Sequence, residues 1–218
     1  MNKEWSELNK TMQAQIKKKD TYKMGIDTLF NLRRQLMQTL VSFKEDLCRE
    51  DFNAIPFINA DGYHSKTIAY SIWHIFRIED IVAHTVITED EQVFFTGNYQ
   101  VRINSPIITT GNELVKQQIA DFSKQLNLEE LYSYIFEVRE STEKILERFS
   151  YDELKWKIPD ERKGYLKSLN VVNWDEKAIW LIDYWCSKDI RGLIQMPFSR
   201  HWIMHTEACL RIKNKMHS

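Results

Sequence analysis

Glycine and proline are scarce in this 218-residue chain, which has 6 glycines and 4 prolines. Sandwiches and barrels of short strands need turn residues roughly every 8–12 positions, so this scarcity favours long helices. The glycines also stand too far apart to form a G-x-G-x-x-G fingerprint or a Walker A loop. The sequence therefore predicts an all-α protein that lacks both nucleotide-binding motifs.

Cysteine and an excess of either charge are lacking as well. Cys48, Cys186 and Cys209 are odd in number and form no C-x-x-C pair, which argues against a disulfide framework and favours a reducing compartment. The 30 Lys and Arg balance 31 Asp and Glu, which argues against nucleic acid as a partner. There is no secretory signal and no apolar run of the ~18–20 residues that span a bilayer. We therefore expect a cytoplasmic protein with no membrane partner.

Apolar residues recur three and four positions apart in several segments, which is the spacing of helices packed in a bundle. The longest predicted helices cover residues 22–50, 65–87, 128–149 and 197–213, and shorter ones cover 112–126 and 175–188. Asn127 and Glu130 predict a capping box at the start of the third long helix.

The remaining segments are predicted to be irregular. Residues 51–62 form a loop, residues 89–111 a loop or an irregular hairpin, and residues 151–174 a surface excursion. Residues 1–21 are polar and lysine-rich, which predicts a solvated N-terminal arm. The expected domain therefore spans residues 22–215.

The second long helix, SKTIAYSIWHIFRIEDIVAHTVI, is apolar on almost every face, and its charges Arg77, Glu79 and Asp80 interrupt only the middle. A helix that is apolar all round is buried all round. We therefore expect several neighbours around it, including a second subunit, and predict a homodimer.

Three of the six histidines form the main chemical signal. His201 and His205 stand four residues apart in FSRHWIMHTEACLRI, which places both imidazoles on one helical face. His74 lies near the middle of the apolar second helix, where an unpaired imidazole is costly to bury. Taken alone, it fits a core residue bonded to a backbone carbonyl or to Tyr70. If it faces the histidine pair across a bundle, it completes a three-nitrogen metal site.

The other histidines fit structural roles. His84 lies ten residues after His74, about 280° around the helix, so we expect it outside the site and hydrogen-bonded to Asp80. His64 sits at a helix start, and His217 lies near the chain end.

Two kinds of nearby residue keep alternative roles. Cys209 continues the stripe of the histidine pair, so it is either a small buried residue or a group that approaches the metal or a substrate. Glu79, Asp80 and Glu207 are either acceptors that orient an imidazole or salt-bridge partners, such as Asp80 with Arg77.

The combination of SIWHIFRIEDIV, LEELYSYIFEVREST and HWIMHTEACLRI resembles the DinB-like (YfiT-like) superfamily. The resemblance covers roughly residues 22–215 and implies a four-helix bundle of up-down-down-up topology, with the N-terminal arm and short helices added. It also implies a homodimer and one divalent metal ion, held by a histidine of the second helix and an H-x-x-x-H pair in the last. Those ligands are His74, His201 and His205.

Three neutral imidazoles leave a bound divalent ion an open coordination position, which is typical of catalytic sites. That position can hold water or a thiol, and the metal lowers the pKa of either. The resemblance favours a transferase that activates a low-molecular-weight thiol of the bacillithiol, mycothiol or glutathione type toward an electrophilic small molecule. Metal-dependent hydrolysis and a non-catalytic metal-binding stress-response bundle are the alternatives. Zinc or nickel is the expected ion, with iron or copper also compatible, and no catalytic base is assigned.

Overall fold

The computed structural model describes residues 2–217, and all its regular secondary structure is helical, as the sequence predicts. The α-helices are α1 (Lys3–Gln15), α2 (Tyr22–Asp46), α3 (Arg49–Asn53), α4 (Ile68–Asp80), α5 (Val93–Thr96), α6 (Tyr99–Ile103), α7 (Gln117–Gln125), α8 (Leu128–Glu147), α9 (Glu161–Ser168), α10 (Glu176–Cys186), α11 (Ile190–Gln195) and α12 (Arg200–Met216). A π-helix, Ile81–Thr88, continues α4, and 3₁₀ turns cover Gly62–His64 and Glu153–Lys155. None of the helices found over residues 2–217 is both long and apolar enough to cross a membrane.

Four long helices, α2, α4, α8 and α12, enclose the core that carries the histidines. α4 packs against α8 and α12, and α2 contacts the same two helices. Apolar side chains from all four helices are buried in this core: Leu36, Leu40, Ile72, Phe76, Leu131, Ile135, Trp202 and Ile212. The three- and four-residue spacing that predicts these helices is therefore the spacing of their buried faces.

α8 begins where the sequence predicts. The side-chain oxygen of Asn127 accepts hydrogen bonds from the backbone N–H groups of Glu129 and Glu130, at 3.1 and 3.4 Å. These bonds satisfy donors that have no partner in the first helical turn. The carboxylate of Glu130 accepts from Arg102 Nε at 2.8 Å instead of from the Asn127 backbone. The predicted N-cap is thus confirmed, while the second half of the capping box is replaced by an ion pair.

The second long helix is buried on all sides by the chain itself. Every residue of α4 is buried, and so are residues 81–86 of the π-helix. The neighbours of α4 are α3, α5, α7, α8 and α12, and the π-helix contacts α8, α9 and α10. The burial expected from the sequence is therefore present without a second subunit. The homodimer stays a prediction, and this helix no longer supports it.

The N-terminal segment is not the solvated arm that its polar composition predicts. α1 packs along α2, and Trp5, Met12 and the following Ile16 are buried. These residues are seven and four positions apart, so they form one apolar stripe on a largely polar helix. The expectation of a solvated arm is wrong for this stripe, while the domain boundary at residue 22 stays a prediction.

The connections contain more helix than the sequence indicates. Residues 89–111 hold α5 and α6, so the predicted alternative of a hairpin is wrong. In contrast, α7 starts at Gln117 and not at residue 112, because Gly111 and Lys116 have φ values of +74° and +48°. A right-handed helix excludes such values. Residues 111–116 therefore form a turn, and this turn covers the site described below.

A buried ion pair joins the four long helices. The guanidinium of Arg33 on α2 donates two hydrogen bonds to the carboxylate of Glu79 on α4, at 2.7 and 2.9 Å. Trp202 Nε1 on α12 donates to the same carboxylate at 2.7 Å. Arg33 Nε also donates to Glu143 on α8 at 3.1 Å. Arg33 and Glu79 are fully buried, so losing Arg33 leaves the charge of Glu79 without an ionic partner in the core.

Replacing Arg33 by Met should lower the free energy of unfolding by about 3–5 kcal/mol, because Glu79 then stays buried without its partner. Arg34→Met is the matched control. Arg34 is exposed and contacts Asn31, so its loss should change the free energy by about 0.5 kcal/mol or less. Urea denaturation followed by circular dichroism measures both variants. Equal losses would contradict the role given to Arg33.

Candidate metal centre

The three histidines predicted as ligands lie together in the structure. One ring nitrogen from each of His74, His201 and His205 can be chosen so that all three lie within 4.8 Å of one another. The ring centroids are 5.1 Å apart for His74 and His201, 4.9 Å for His74 and His205, and 4.6 Å for His201 and His205. A cluster of three imidazoles with this spacing can hold a metal ion.

Two packed helices supply the three side chains. His201 and His205 are one turn apart on α12, and His74 projects from α4, which packs against α12. The exposed fractions are 4% for His74, 6% for His201 and 4% for His205. Trp202, next to His201, packs edge-on against Phe76 of α4 with ring centroids 4.5 Å apart. This contact and the Trp202–Glu79 hydrogen bond position α12 against α4 at the level of the histidines.

A backbone carbonyl orients His74. The oxygen of Thr110 lies 2.7 Å from His74 Nδ1, so Nδ1 carries the proton and donates it. The imidazole also stacks on Tyr70, with ring centroids 5.3 Å apart and an interplanar angle of 14°. Nε2 is then the nitrogen with a free lone pair, an arrangement typical of metal-binding histidines. His74 can thus be both a core histidine that is bonded to a carbonyl and a metal ligand.

Burial keeps the three imidazoles neutral. It lowers the pKa of His74 to about 4, and the hydrogen bond to Thr110 opposes this shift only in part. Burial also lowers the pKa values of His201 and His205 well below the usual range, and the neighbouring imidazoles add to both shifts. A metal ligand must be unprotonated at the coordinating nitrogen, so this electrostatic environment suits metal binding.

Two ring nitrogens of the cluster have no hydrogen-bond partner. They are the Nδ1 atoms of His201 and His205, both buried. Buried polar atoms without a partner are uncommon in folded proteins and call for an explanation. A metal centre is expected to have neutral nitrogen atoms that converge on one point. It is also expected to have rings without a protein hydrogen-bond partner, as two of these rings are. The residues present therefore fit a divalent ion.

The histidine cluster borders a cavity of about 320 Å³. That volume is large enough for a small molecule. His74 and His205 form part of the wall, and the described lining residues include two lysines but no aspartate or glutamate. The residues that line it are Gly62, Tyr63, Ser65, Lys66, Tyr70, His74, Asn112, Leu114, Val115, Lys177 and His205.

His84 lies outside the cluster, as predicted, but its predicted hydrogen bond to Asp80 is wrong. His84 Nδ1 lies 2.7 Å from Asp90 Oδ1 and Nε2 lies 3.0 Å from Ser141 Oγ, whereas the nearest Asp80 oxygen is 4.0 Å away. Two features explain the difference. The π-helix widens the turn after Asp80, and Asp80 already accepts bonds from Tyr134 and from two backbone N–H groups.

The carboxylates on α4 serve helix packing. Glu79 binds Arg33 and Trp202, and Asp80 lies 3.6 Å from Arg77, so the predicted Arg77–Asp80 ion pair is confirmed. Neither carboxylate orients one of the three clustered imidazoles. On α12, Glu207 accepts a hydrogen bond from the backbone N–H of Asn2, which ties the N-terminal segment to the last helix.

The remaining candidates have ordinary environments. Cys209 is fully buried and does not belong to the ligand cluster, and burial raises the pKa of its thiol to about 12. It therefore matches the interpretation as a small buried residue. His64 packs at a tilt against Tyr63 with ring centroids 4.0 Å apart, and its buried Nδ1 has no hydrogen-bond partner, but it does not belong to the ligand cluster. His217 lies 3.5 Å from Asp51.

The turn that completes the site is not predicted from the sequence. Gly111 follows Thr110, and its carbonyl accepts a hydrogen bond from the Tyr70 hydroxyl at 2.9 Å. A Cβ at this position would lie 3.0 Å from ring atoms of Trp73 and Tyr70. A glycine after PIITT is a local turn signal. The signal does not reveal which helix the turn packs against, so it could not place Thr110 at His74.

Comparison with known proteins adds no relative. No protein-family model matches the chain, and no curated protein matches it either. Membership of the DinB-like superfamily therefore rests on the histidine positions and the helix layout, and it stays a proposal.

Replacing His74, His201 or His205 by Ala should in each case lower zinc affinity by more than about 100-fold. Loss of a metal ligand lowers the affinity more than loss of a residue that is hydrogen-bonded to a ligand. His84→Ala is the matched control, since His84 is also a buried histidine on the same helical segment as His74. Its zinc affinity should stay within about threefold of the wild type. Competition with a chromophoric chelator measures all four. A loss in His84→Ala as large as in His205→Ala would contradict the assignment.

Gly111→Ala should lower the free energy of unfolding by about 1–3 kcal/mol, because alanine is strained at positive φ and its Cβ crowds two rings. Zinc affinity should also fall, by about 10–100-fold, as the neighbouring carbonyl moves away from His74. Gly164→Ala on α9 has open space and should be neutral or stabilising by up to about 1 kcal/mol. Urea denaturation and zinc titration test both. Unchanged zinc affinity in Gly111→Ala would show that the turn does not orient the ligand.

Proposed function

We propose that the chain is a DinB-like, metal-dependent transferase that joins a low-molecular-weight thiol to an electrophilic small molecule. The observation that carries the proposal is the convergence of three buried, neutral imidazoles beside a cavity without a described carboxylate. His74, His201 and His205 would hold one divalent ion, zinc or nickel by preference and iron or copper as alternatives. When bound, such an ion lowers the pKa of a thiol in its open coordination position.

The relative directions of the long helices support the DinB-like arrangement. Two contacts between each pair of helices give their relative direction. For α8, the contacts are Arg33–Glu143 and Leu40–Tyr132 with α2, and Asp80–Tyr134 and His84–Ser141 with α4 and its π-helical continuation. For α12, they are Glu79–Trp202 and His74–His205 with α4, and Arg33–Trp202 and Asp46–Lys213 with α2. From these pairs, α4 runs parallel to α8 and antiparallel to α12, while α2 does the reverse. We propose the up-down-down-up order for α2, α4, α8 and α12 on this basis.

In the proposed reaction the protein orients a metal ligand and forms the cavity that binds the substrates. Thr110 and Tyr70 hold the ring of His74, and the side chains of Leu114 and Val115 form an apolar part of the cavity wall. The sulfur of the thiol forms a bond to a carbon of the electrophile. The thiol proton passes to solvent, and the leaving group departs with its bonding electron pair. Cys209 takes no part, because it lies outside the ligand cluster and its thiol is protonated.

The cavity chemistry favours this reaction over metal-dependent hydrolysis. Hydrolytic zinc sites commonly combine the metal with a carboxylate that acts as a general base toward the attacking water. The described residues that line the cavity offer no carboxylate. A thiol loses its proton far more easily than water does, so it needs no such base. A non-catalytic metal-binding bundle is the remaining alternative, and it predicts binding without turnover.

Cobalt-substituted protein should develop an absorption band typical of a cobalt–thiolate bond when glutathione or 2-mercaptoethanol is added at pH 7. This pH lies well below the ~8.5 at which a free thiol ionises, so the band would report the lowered pKa. Conjugation of the same thiol to monochlorobimane, with release of chloride, should follow. Visible spectroscopy and fluorescence measure the two effects.

His74→Ala should lose the band and the turnover while circular dichroism still shows a helical protein. Cys209→Ser is the matched control and should keep both, because Cys209 is a buried packing residue. If cobalt stays bound but several thiols give neither band nor turnover, the transferase proposal is wrong.

A further inference from the structure

Lys66 lies beside the histidine cluster without an acidic partner. It contributes to the wall of the cavity that His74 and His205 also line. Among residues 2–217, no carboxylate forms an ion pair with its ammonium group, whose Nζ lies 5.0 Å from the centroid of the Tyr70 ring. The side chain is partly buried, and burial lowers the pKa of Lys66 to about 8. At pH 7 the cavity wall therefore contains a protonated, partly desolvated amine that forms no ion pair in the described part of the chain.

The charge of the cavity wall has one sign. Lys177 is the other charged residue in the described lining, which contains no aspartate or glutamate. The first turn of α4 follows Lys66 directly, so the positive end of this helix dipole lies on the same side. The charge of Lys66 also reaches the cluster, because it adds to the lowering of the pKa values of His74 and His205. Such a cavity attracts anions.

A second polar group in the wall has no partner. The side-chain oxygen of Asn112 is buried and accepts no hydrogen bond from the protein. Asn112 belongs to the turn that follows Gly111 and lines the same cavity as Lys66. An amide oxygen requires a donor such as a hydroxyl or an amide N–H. The wall therefore offers a cation and a hydrogen-bond acceptor to one ligand.

We propose that the thiol substrate of this cavity carries a carboxylate, which pairs with Lys66 while the sulfur faces the histidine cluster and a polar N–H or O–H of the same molecule binds Asn112. The inference rests on the proposed function, which it deepens by naming the substrate class. The proposed site binds acidic thiols more tightly than neutral thiols of similar size. Lys66 would set the preference of the site for acidic thiols.

The test compares the binding of N-acetylcysteine and N-acetylcysteamine, which share a thiol and an amide N–H and differ by the carboxylate, to cobalt-loaded protein at pH 7, followed by the visible spectrum and by calorimetry. Wild-type protein should bind N-acetylcysteine at least about tenfold more tightly, as expected for a charge-assisted contact. Lys66→Met should reduce this preference to about threefold or less, with cobalt affinity no weaker than in the wild type. Lys66→Arg should keep most of the preference, because the positive charge is retained.

Lys124→Met is the control for a general change of charge. Lys124 is exposed on α7, pairs with Asp121 and does not line the cavity, so its loss should leave the preference for N-acetylcysteine unchanged. Equal binding of the two thiols to wild-type protein, or an unchanged preference in Lys66→Met, would overturn the role of Lys66 and leave the metal-dependent transferase intact. Failure to bind cobalt, or to bind either thiol once cobalt is bound, would overturn both proposals.

Discussion

The buried contact between Arg33 and Glu79 is the constraint on which the site depends. The carboxylate of Glu79 is also bound by Trp202, whose sequence neighbour is His201. A displacement of α12 by one turn, about 5.4 Å, would break the Trp202–Glu79 bond and separate the histidine pair from His74 at the same time. We infer that this buried ion pair selects one register of the helices. The geometry of the imidazoles is a consequence of that register.

The long helices and the histidine cluster were predictable because their signals are local. Leu131, Ile135 and Val138 repeat at helical spacing, and the side chain of Asn127 marks the start of their helix. The His201–His205 pair depends on spacing within a single helix. His74 could be added because an imidazole among apolar residues needs a partner, and because the resemblance to a known superfamily named its position.

The features that were not predictable depend on contacts between distant segments. The fully packed residues of the N-terminal stripe are Trp5, Met12 and Ile16, with Leu8 partly buried between them, and so few apolar residues do not stand out from a polar sequence. The partners of His84 differ from the predicted one because the π-helix after Asp80 has a different rotation per residue from an α-helix. Lys66 has no distinctive signal in the sequence, since the role proposed for it depends on the cavity that it lines together with the distant turn.

One histidine of the cluster is oriented by a main-chain atom, and this has an evolutionary consequence. The acceptor of His74 is the main-chain carbonyl of residue 110, which a substitution does not remove, whereas an acceptor on a side chain can be lost in a single codon change. The orientation of the imidazole is therefore inherited with the path of the backbone. The side chains of Asn112 and Val115 line the cavity, so a substitution at either position would change the cavity wall without removing the acceptor of His74. Related proteins can in this way diverge in what they bind while they keep the same three imidazoles.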